Sequence, residues 1–140
     1  MDLDDLFGPT PTVVDLKAKS RWEAIDELIN SLVATNKVKP EHAEAIAGAV
    51  KKRESSMSTG IGFGIGLPHA STDLISEPTA TIGRSRNGIQ FDTIDGQLVN
   101  LVVLFLVPQG QFEKHLHTLA NIAKLLQSSS FRDQLRRRFL

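Results

Sequence analysis

Residues 98–107 read Leu-Val-Asn-Leu-Val-Val-Leu-Phe-Leu-Val, an almost uninterrupted apolar run. A strand with one face in water alternates polar and apolar residues, whereas a strand buried on both faces reads as a continuous apolar run. The segment therefore predicts a central strand in a sheet with helices on each side. The fold class that follows is α/β.

Helical and extended patterns lie on both sides of this strand. Ser20 and Glu23 form a capping box before an apolar stripe at helical spacing, and Pro40 suits the first turn of a second helix that ends near Arg53 or Glu54. Residues 112–127 predict a further helix whose inner face includes Ala120. Short strands are expected at 12–16, 79–85 and 89–91, the last two joined by a turn at Asn87-Gly88.

Composition excludes several classes of protein. The 140 residues suit one domain, 1–140, and sixteen basic residues balance sixteen acidic ones. This balance argues against a nucleic-acid partner, and the arginines at 136–138 suit a solvated last helical turn. The absence of cysteine excludes disulfides, thiolate zinc sites and a cysteine nucleophile. An acidic N-terminus and no apolar run near the roughly 20 residues of a membrane helix predict a cytoplasmic protein without membrane insertion.

The glycine-rich segment at residues 60–69 is the first candidate for chemistry. It reads Gly-Ile-Gly-Phe-Gly-Ile-Gly-Leu-Pro-His. Its glycines do not have the first, third and sixth spacing of a dinucleotide fingerprint, and no Gly-Lys-Ser/Thr follows, so it is not a P-loop. The segment lets its backbone approach a bulky group closely and presents His69 behind a rigid proline. The plainer interpretation is a glycine-rich bend with a partly buried histidine.

The other three histidines divide by helical geometry. Successive helical residues lie about 100° apart, which puts His115 on the apolar face and His117 on the wet face of their helix. His42 lies in the first turn of its helix and is expected to be exposed. Because i and i+2 point apart on a helix, His115 and His117 predict no metal site.

If the loop histidine and the inward-facing histidine lie close together, fewer reactions are compatible with the site. A neutral imidazole is a nucleophile, and its natural electrophile at neutral pH is a phosphoryl group. Such a site needs N–H or O–H donors for the phosphoryl oxygens and a nearby cation, with no cofactor. His69, His115 and Arg53, with the hydroxyls of Ser58 and Thr59, are the candidates for these parts. A cation near His69 would also keep its ring neutral.

These residues carry a resemblance to a known family. The chain resembles the IIA domain of the fructose–mannitol type in the bacterial phosphoenolpyruvate-dependent sugar phosphotransferase system (PTS), a family that includes the nitrogen-regulatory IIA proteins. The likeness covers nearly the whole chain. The matching stretches are Arg53-Glu54, Ser58-Thr59, residues 60–69, Phe91-Asp92, Asp95-Gly96-Gln97, Leu106-Val107-Pro108 and residues 115–120.

The resemblance implies a fold, a reaction and partners. The fold is a three-layer α/β/α sandwich around a small mixed sheet. His69 matches the histidine that accepts the phosphoryl group, His115 the second active-site histidine and Arg53 the family's arginine. The implied phosphotransferase takes the group from the phosphorylated histidine carrier protein and passes it to a IIB component. Gly66 stands where the family usually has alanine, from which we expect a looser approach to His69.

Two other functions remain open. A nitrogen-regulatory IIA protein would bind and regulate protein partners according to its phosphorylation state. A structural domain could keep the fold without the chemistry. Donation of the phosphoryl group to a IIB partner separates transport from regulation.

Overall fold

The computed structural model describes residues 13–93 (without the Ile61 side chain), 95–111, 113, 114, 117, 120, 121, 124, 128–130 and 133. Its strands are β1 (Val13–Asp15), β2 (Gly60–Gly62), β3 (Ile65–Gly66), β4 (His69–Thr72), β5 (Thr79–Ile89) and β6 (Val99–Pro108). Its helices are α1 (Arg21–Ala34) and α2 (Ala43–Ser56), the second preceded by a 3₁₀ turn at Pro40–His42. Among the described residues, no helix is long and apolar enough to cross a membrane.

The strands form one mixed sheet in the order β1-β5-β6-β3-β2, with β4 also paired to β6. The β5–β6 and β2–β3 pairs are antiparallel, whereas β1 pairs with β5, and β3 and β4 pair with β6, in parallel. Strand β6 therefore has neighbours on both edges. The predicted central strand is confirmed.

Both faces of β6 are buried. Val102, Leu104 and Leu106 belong to the core cluster that includes the inner side chains of α1 and α2. The alternate residues Leu101, Val103, Phe105 and Val107 point to the opposite face and are at most 3% exposed. The described positions at 113, 114, 117, 120, 121 and 124 are helical. The α/β fold, with its mixed sheet between helical layers, is confirmed.

The first helix follows its predicted capping. Ser20 adopts an extended conformation and its side chain accepts a hydrogen bond from the backbone N–H of Glu23. This bond satisfies one of the free donors of the first turn. Ala24, Ile25, Leu28, Ile29 and Leu32 form the buried stripe.

Two predictions from the sequence are wrong, one about a turn and one about the burial of a helical residue. Asn87-Gly88 does not join two strands, because β5 runs without interruption through it to Ile89 and the register with β6 shifts between Arg84 and Ile89. Gly88, at φ 83°, lies in this irregularity, and the chain reverses later, around Asp95-Gly96.

Ala120 is exposed rather than on the inner face of its helix. Small residues such as alanine cost little at the surface of a helix, so they mark its inner face poorly.

Candidate functional site

His69 lies at the start of β4, directly beside the central strand. Ile65 of β3 pairs with Leu101 and His69 of β4 pairs with Phe105, so β3 and β4 follow β6 in a single register. Pro68 lies between the two strands, and its carbonyl accepts a hydrogen bond of 3.0 Å from the N–H of Phe105. The Pro-His pair is therefore part of one extended line along β6. That line fixes the backbone of His69.

The His69 ring is oriented by the backbone two residues earlier. Its Nδ1 lies 2.9 Å from the carbonyl oxygen of Leu67. A carbonyl oxygen only accepts, so Nδ1 carries the hydrogen and Nε2 of the neutral ring keeps its lone pair. Proline at position 68 restricts Leu67 to extended backbone, which limits the direction of that carbonyl. The ring is thus held with Nε2 as its basic nitrogen.

The pKa of His69 lies below its ordinary value of 6.5. Burial of the half-buried ring is the largest cause, because it disfavours the charged imidazolium. The hydrogen bond to Leu67 acts in the opposite direction, and the positive charge of Arg53 lowers the pKa further. At neutral pH the ring is therefore uncharged and its Nε2 lone pair is available.

Arg53 lies in the last turn of α2. Its Nη1 donates a 3.2 Å hydrogen bond to the carbonyl oxygen of Met57, whose side chain is 70% exposed. The guanidinium is close enough to His69 for its charge to act on the ring. Arg53 and His69 are thus brought together from different elements, as the sequence predicted for a cation near the histidine.

Ser58 and Thr59 have protein partners in this structure. The Ser58 hydroxyl donates to the carbonyl oxygen of Phe91 and accepts from the N–H of Gly60 at 3.1 Å. Thr59 is buried, and its hydroxyl donates to Oε2 of Glu54 at 2.5 Å. These bonds fasten the start of the glycine-rich segment to α2 and to the loop after β5.

Glu54 and Arg21 are residues of this region that the sequence analysis did not single out. The Glu54 side chain is fully buried, and its carboxylate accepts from the N–H of Thr59 at 3.2 Å and pairs with Nη1 of Arg21 at 3.4 Å. Arg21 also contacts the carbonyl oxygen of Phe91 and the carboxylate of Asp92, each at 3.4 Å. The sequence carries one sign that Glu54 is buried. It lies four residues after Val50 and eight after Ile46, on the same face of the helix as these apolar residues.

The glycine-rich segment folds as a hairpin. Strands β2 and β3 are joined through Phe63 and Gly64, both at positive φ (59° and 78°). The N–H of Phe63 donates to Oδ2 of Asp95 at 3.1 Å, and the carbonyl oxygen of Gly64 accepts from Asn100 and Leu101. The alternating glycines therefore serve a tight turn that packs against β6.

Gly66 lies close to an aromatic ring, so the looser packing expected from the missing methyl group is not found at this position. A Cβ added at this glycine would lie 2.9 Å from Cε2 of the Phe91 ring, which is fully buried. The space of the missing methyl group is thus filled by an aromatic ring. The glycine permits a close contact between β3 and Phe91.

The remaining histidines have different surroundings. His117 is exposed, as predicted for the wet face. His42 is half-buried rather than exposed, and its Nδ1 is buried without a hydrogen-bond partner among the described residues. His115 lies outside the described residues. Within the described ranges, no three His, Asp or Glu side chains are grouped to hold a metal ion.

The sequence also matches a family model, described as "Phosphoenolpyruvate-dependent sugar phosphotransferase system, EIIA 2", over residues 6–138. The chain belongs to this EIIA 2 family. A PTS system fructose-specific EIIA component of Haloferax volcanii is 35% identical over 96% of this chain and 88% of its own length. A nitrogen regulatory protein of Bradyrhizobium diazoefficiens is 30% identical over 97% of this chain and 87% of its own length.

A solved structure carries the same family likeness. The crystal structure of nitrogen regulatory protein IIA-Ntr from Neisseria meningitidis matches with a TM-score of 0.77 and 27% identity, over 89% of this chain and 83% of that chain. PTS EIIA domains mediate phosphoryl transfer, so membership of the EIIA 2 family supports a phosphotransferase role in general terms.

Proposed function

We propose that this EIIA 2 protein is a phosphocarrier that works through a phosphohistidine at His69. The observation that carries the proposal is the hydrogen bond between Nδ1 of His69 and the carbonyl oxygen of Leu67. This bond directs the lone pair to Nε2, and the lowered pKa keeps the ring neutral. Nε2 is therefore the nitrogen that we assign as the nucleophile.

The proposed reaction moves one phosphoryl group between two imidazole rings. The Nε2 lone pair of His69 forms a bond to phosphorus while the N–P bond of the phosphorylated histidine carrier protein breaks. The electron pair of that bond returns to the donor's ring. Positive charge develops on the His69 ring, and the Leu67 carbonyl stabilises it through Nδ1–H, in keeping with the direction in which this bond moves the pKa.

Arg53 is proposed to bind the phosphoryl oxygens, because a guanidinium forms charge-assisted hydrogen bonds to such oxygens. His115 is proposed as the second active-site histidine, as the resemblance implies. The proposed phosphoryl ligands Ser58 and Thr59 would first have to release Phe91 and Glu54. We therefore expect substitutions of these two hydroxyls to slow transfer less than loss of Arg53.

The test is a phosphorylation assay with phosphoenolpyruvate, the first general enzyme of the system and the histidine carrier protein. Wild type should gain an acid-labile phosphoryl group and His69→Ala should gain none. His115→Ala should slow the transfer, and His117→Ala, an exposed histidine two residues away, is its matched control. An unlabelled wild type, or equal labelling of His69→Ala, would overturn the proposal.

The acceptor separates transport from regulation. Because one relative is named a fructose-specific EIIA component and another a nitrogen regulatory protein, both roles have support. Our leading proposal is onward transfer to a IIB component by a cytoplasmic protein whose residues 1–140 act as one domain. Stable, phosphorylation-dependent binding to a protein partner, with no donation to any IIB component, would favour the regulatory role instead.

A further inference from the structure

We propose that Glu54 is a positioning residue for His69 and that it acts through Thr59 and Leu67. The inference rests on the proposed function, because it concerns how the acceptor ring is held for phosphoryl transfer. Glu54 lies on α2 and does not itself hydrogen-bond to His69. The connection consists of three successive sets of hydrogen bonds that begin at a fully buried carboxylate.

The first set fastens Thr59 to the helix. Both oxygens of Glu54 lie 3.2 Å from the N–H of Thr59, and Oε2 also accepts from the Thr59 hydroxyl. Arg21 supplies the neighbouring cation at 3.4 Å. A buried carboxylate with these donors and a counter-charge has a defined position, because losing any one of them leaves polar groups without partners. These hydrogen bonds therefore fix the position of Thr59.

The second and third sets lead from Thr59 to the ring. The carbonyl oxygen of Thr59 accepts from the N–H of Leu67 at 3.0 Å, across the base of the β2–β3 hairpin. The carbonyl oxygen of Leu67 then accepts from Nδ1 of His69 at 2.9 Å. The position of Glu54 therefore sets the position of Thr59, then that of Leu67, and finally the orientation of the His69 ring.

The effect is positional rather than electronic. The N–H and the carbonyl of Thr59 belong to different peptide units, and so do those of Leu67. Polarisation of one bond is therefore not passed directly to the next. What Glu54 supplies is a fixed place for the Leu67 carbonyl, on which the Nδ1–H form of the ring depends. Transfer reactions are sensitive to displacements of this kind, since misplacing a reacting group by about 1 Å can slow a reaction by up to about a hundredfold.

The decisive measurement is the tautomer of the His69 ring, read by ring-nitrogen NMR on the full-length, unphosphorylated protein at pH 7.5. In wild type we expect the Nδ1–H form to predominate. In Glu54→Ala we expect the Nε2–H form to increase several-fold and transfer from the histidine carrier protein to slow about tenfold, with little change in KM for the carrier. Glu54→Gln keeps an acceptor oxygen and should restore most of the wild-type behaviour.

Two further variants complete the design. Asp95→Asn is the matched control, because Asp95 holds the N–H of Phe63 at the tip of the same hairpin but is exposed. It should leave the tautomer and the transfer rate unchanged. Should Glu54→Ala fail to fold, the His69 tautomer is measured in Thr59→Val, which removes the hydroxyl bond to Glu54 and keeps the backbone of Thr59. We expect the Nε2–H form to increase in this variant, and an unchanged tautomer would overturn the inference. Its transfer rate is not used, because the Thr59 hydroxyl is itself a proposed phosphoryl ligand.

The outcomes are distinct. If the folded variants lose stability but keep the wild-type tautomer and transfer rate, Glu54 is purely structural and the inference is overturned. If wild type accepts no phosphoryl group, the proposed function fails. The tautomer measurement needs no phosphoryl donor, so it still supports or refutes the positioning role of Glu54.

Discussion

Removing the charge of Arg21 is a sharp test of how this region is held together. In Arg21→Met, the fully buried carboxylate of Glu54 loses the guanidinium that lies 3.4 Å away. The contacts of Arg21 with the Phe91 carbonyl and with Asp92 are lost too. The variant also loses the stacking of the guanidinium on the ring of Trp22, where the guanidinium carbon lies 4.5 Å from the ring centroid.

The expected loss follows from burial and distance. Two unit charges 3.4 Å apart attract by about 5 kcal/mol at an effective dielectric constant near 20. Part of this attraction is offset by desolvation, and breaking a buried pair costs about 3–5 kcal/mol. Because the Arg21 side chain keeps 17% of its exposure, we expect the lower end of that range, about 3 kcal/mol of unfolding free energy.

Lys51–Asp26 is the matched control pair. It is shorter, at 2.8 Å, but its side chains are 35% and 48% exposed. Solvent and salt screen such a pair, so Lys51→Met should cost less than about 1 kcal/mol. We therefore expect the longer ion pair, Arg21–Glu54, to be the stronger one, because burial outweighs distance.

The measurement is urea unfolding followed by far-ultraviolet circular dichroism, since Trp22 fluorescence would itself respond to loss of Arg21. A double-mutant cycle with Arg21→Met, Glu54→Gln and the double variant should give a coupling free energy of about 2 kcal/mol. A coupling free energy within about 0.5 kcal/mol of zero, or a larger loss in Lys51→Met than in Arg21→Met, would refute the reasoning.

Three other predictions concern single residues. Gly48→Ala should raise the unfolding free energy by about 0.5–1 kcal/mol, because Gly48 is an exposed residue inside α2 and a Cβ there meets nothing within 4 Å; a lower midpoint in urea would contradict this. Ser20→Ala should cost about 1 kcal/mol through loss of the N-cap bond to Glu23, whereas Ser20→Gly should cost only a few tenths; equal losses would argue against the cap. Since the pKa of His69 is lowered from 6.5, mainly by burial, the unfolded chain binds more protons than the folded protein between the lowered pKa and 6.5. Unfolding free energy should therefore fall as the pH drops from 7.5 through 6.5 towards the lowered pKa, and His69→Asn should lack this component of the curve.

The parts of the fold that sequence patterns predicted well have local causes. The helix at Arg21–Ala34 follows from a capping box and an apolar stripe, which depend on residues three or four positions apart. The central strand follows from its continuous apolar run. Asn87-Gly88 misled the prediction because its turn preference is absorbed in an irregularity of β5: the register passes from Arg84 to Ile89, so the chain returns to the same partner strand, β6, instead of starting a hairpin. Tertiary pairing overrides local turn preference when a long partner strand is available.

The properties of the candidate site also divide into those that the sequence indicates and those that only the tertiary structure decides. Sequence alone was enough to single out His69 and Arg53, because nucleophile and cation are properties of residue types and the Pro-His pair marks one position. Tertiary structure decided the state of that histidine: packing beside β6 buries the ring, lowers its pKa and sets the partner of Nδ1. Tertiary structure also gave the hydroxyls of Ser58 and Thr59 hydrogen-bond partners, Phe91 and Glu54, both of which contact Arg21. Ser58 and Phe91, like Arg21 and Glu54, are 33 residues apart, and no pattern of short-range spacing encodes contacts that form only when distant segments pack together.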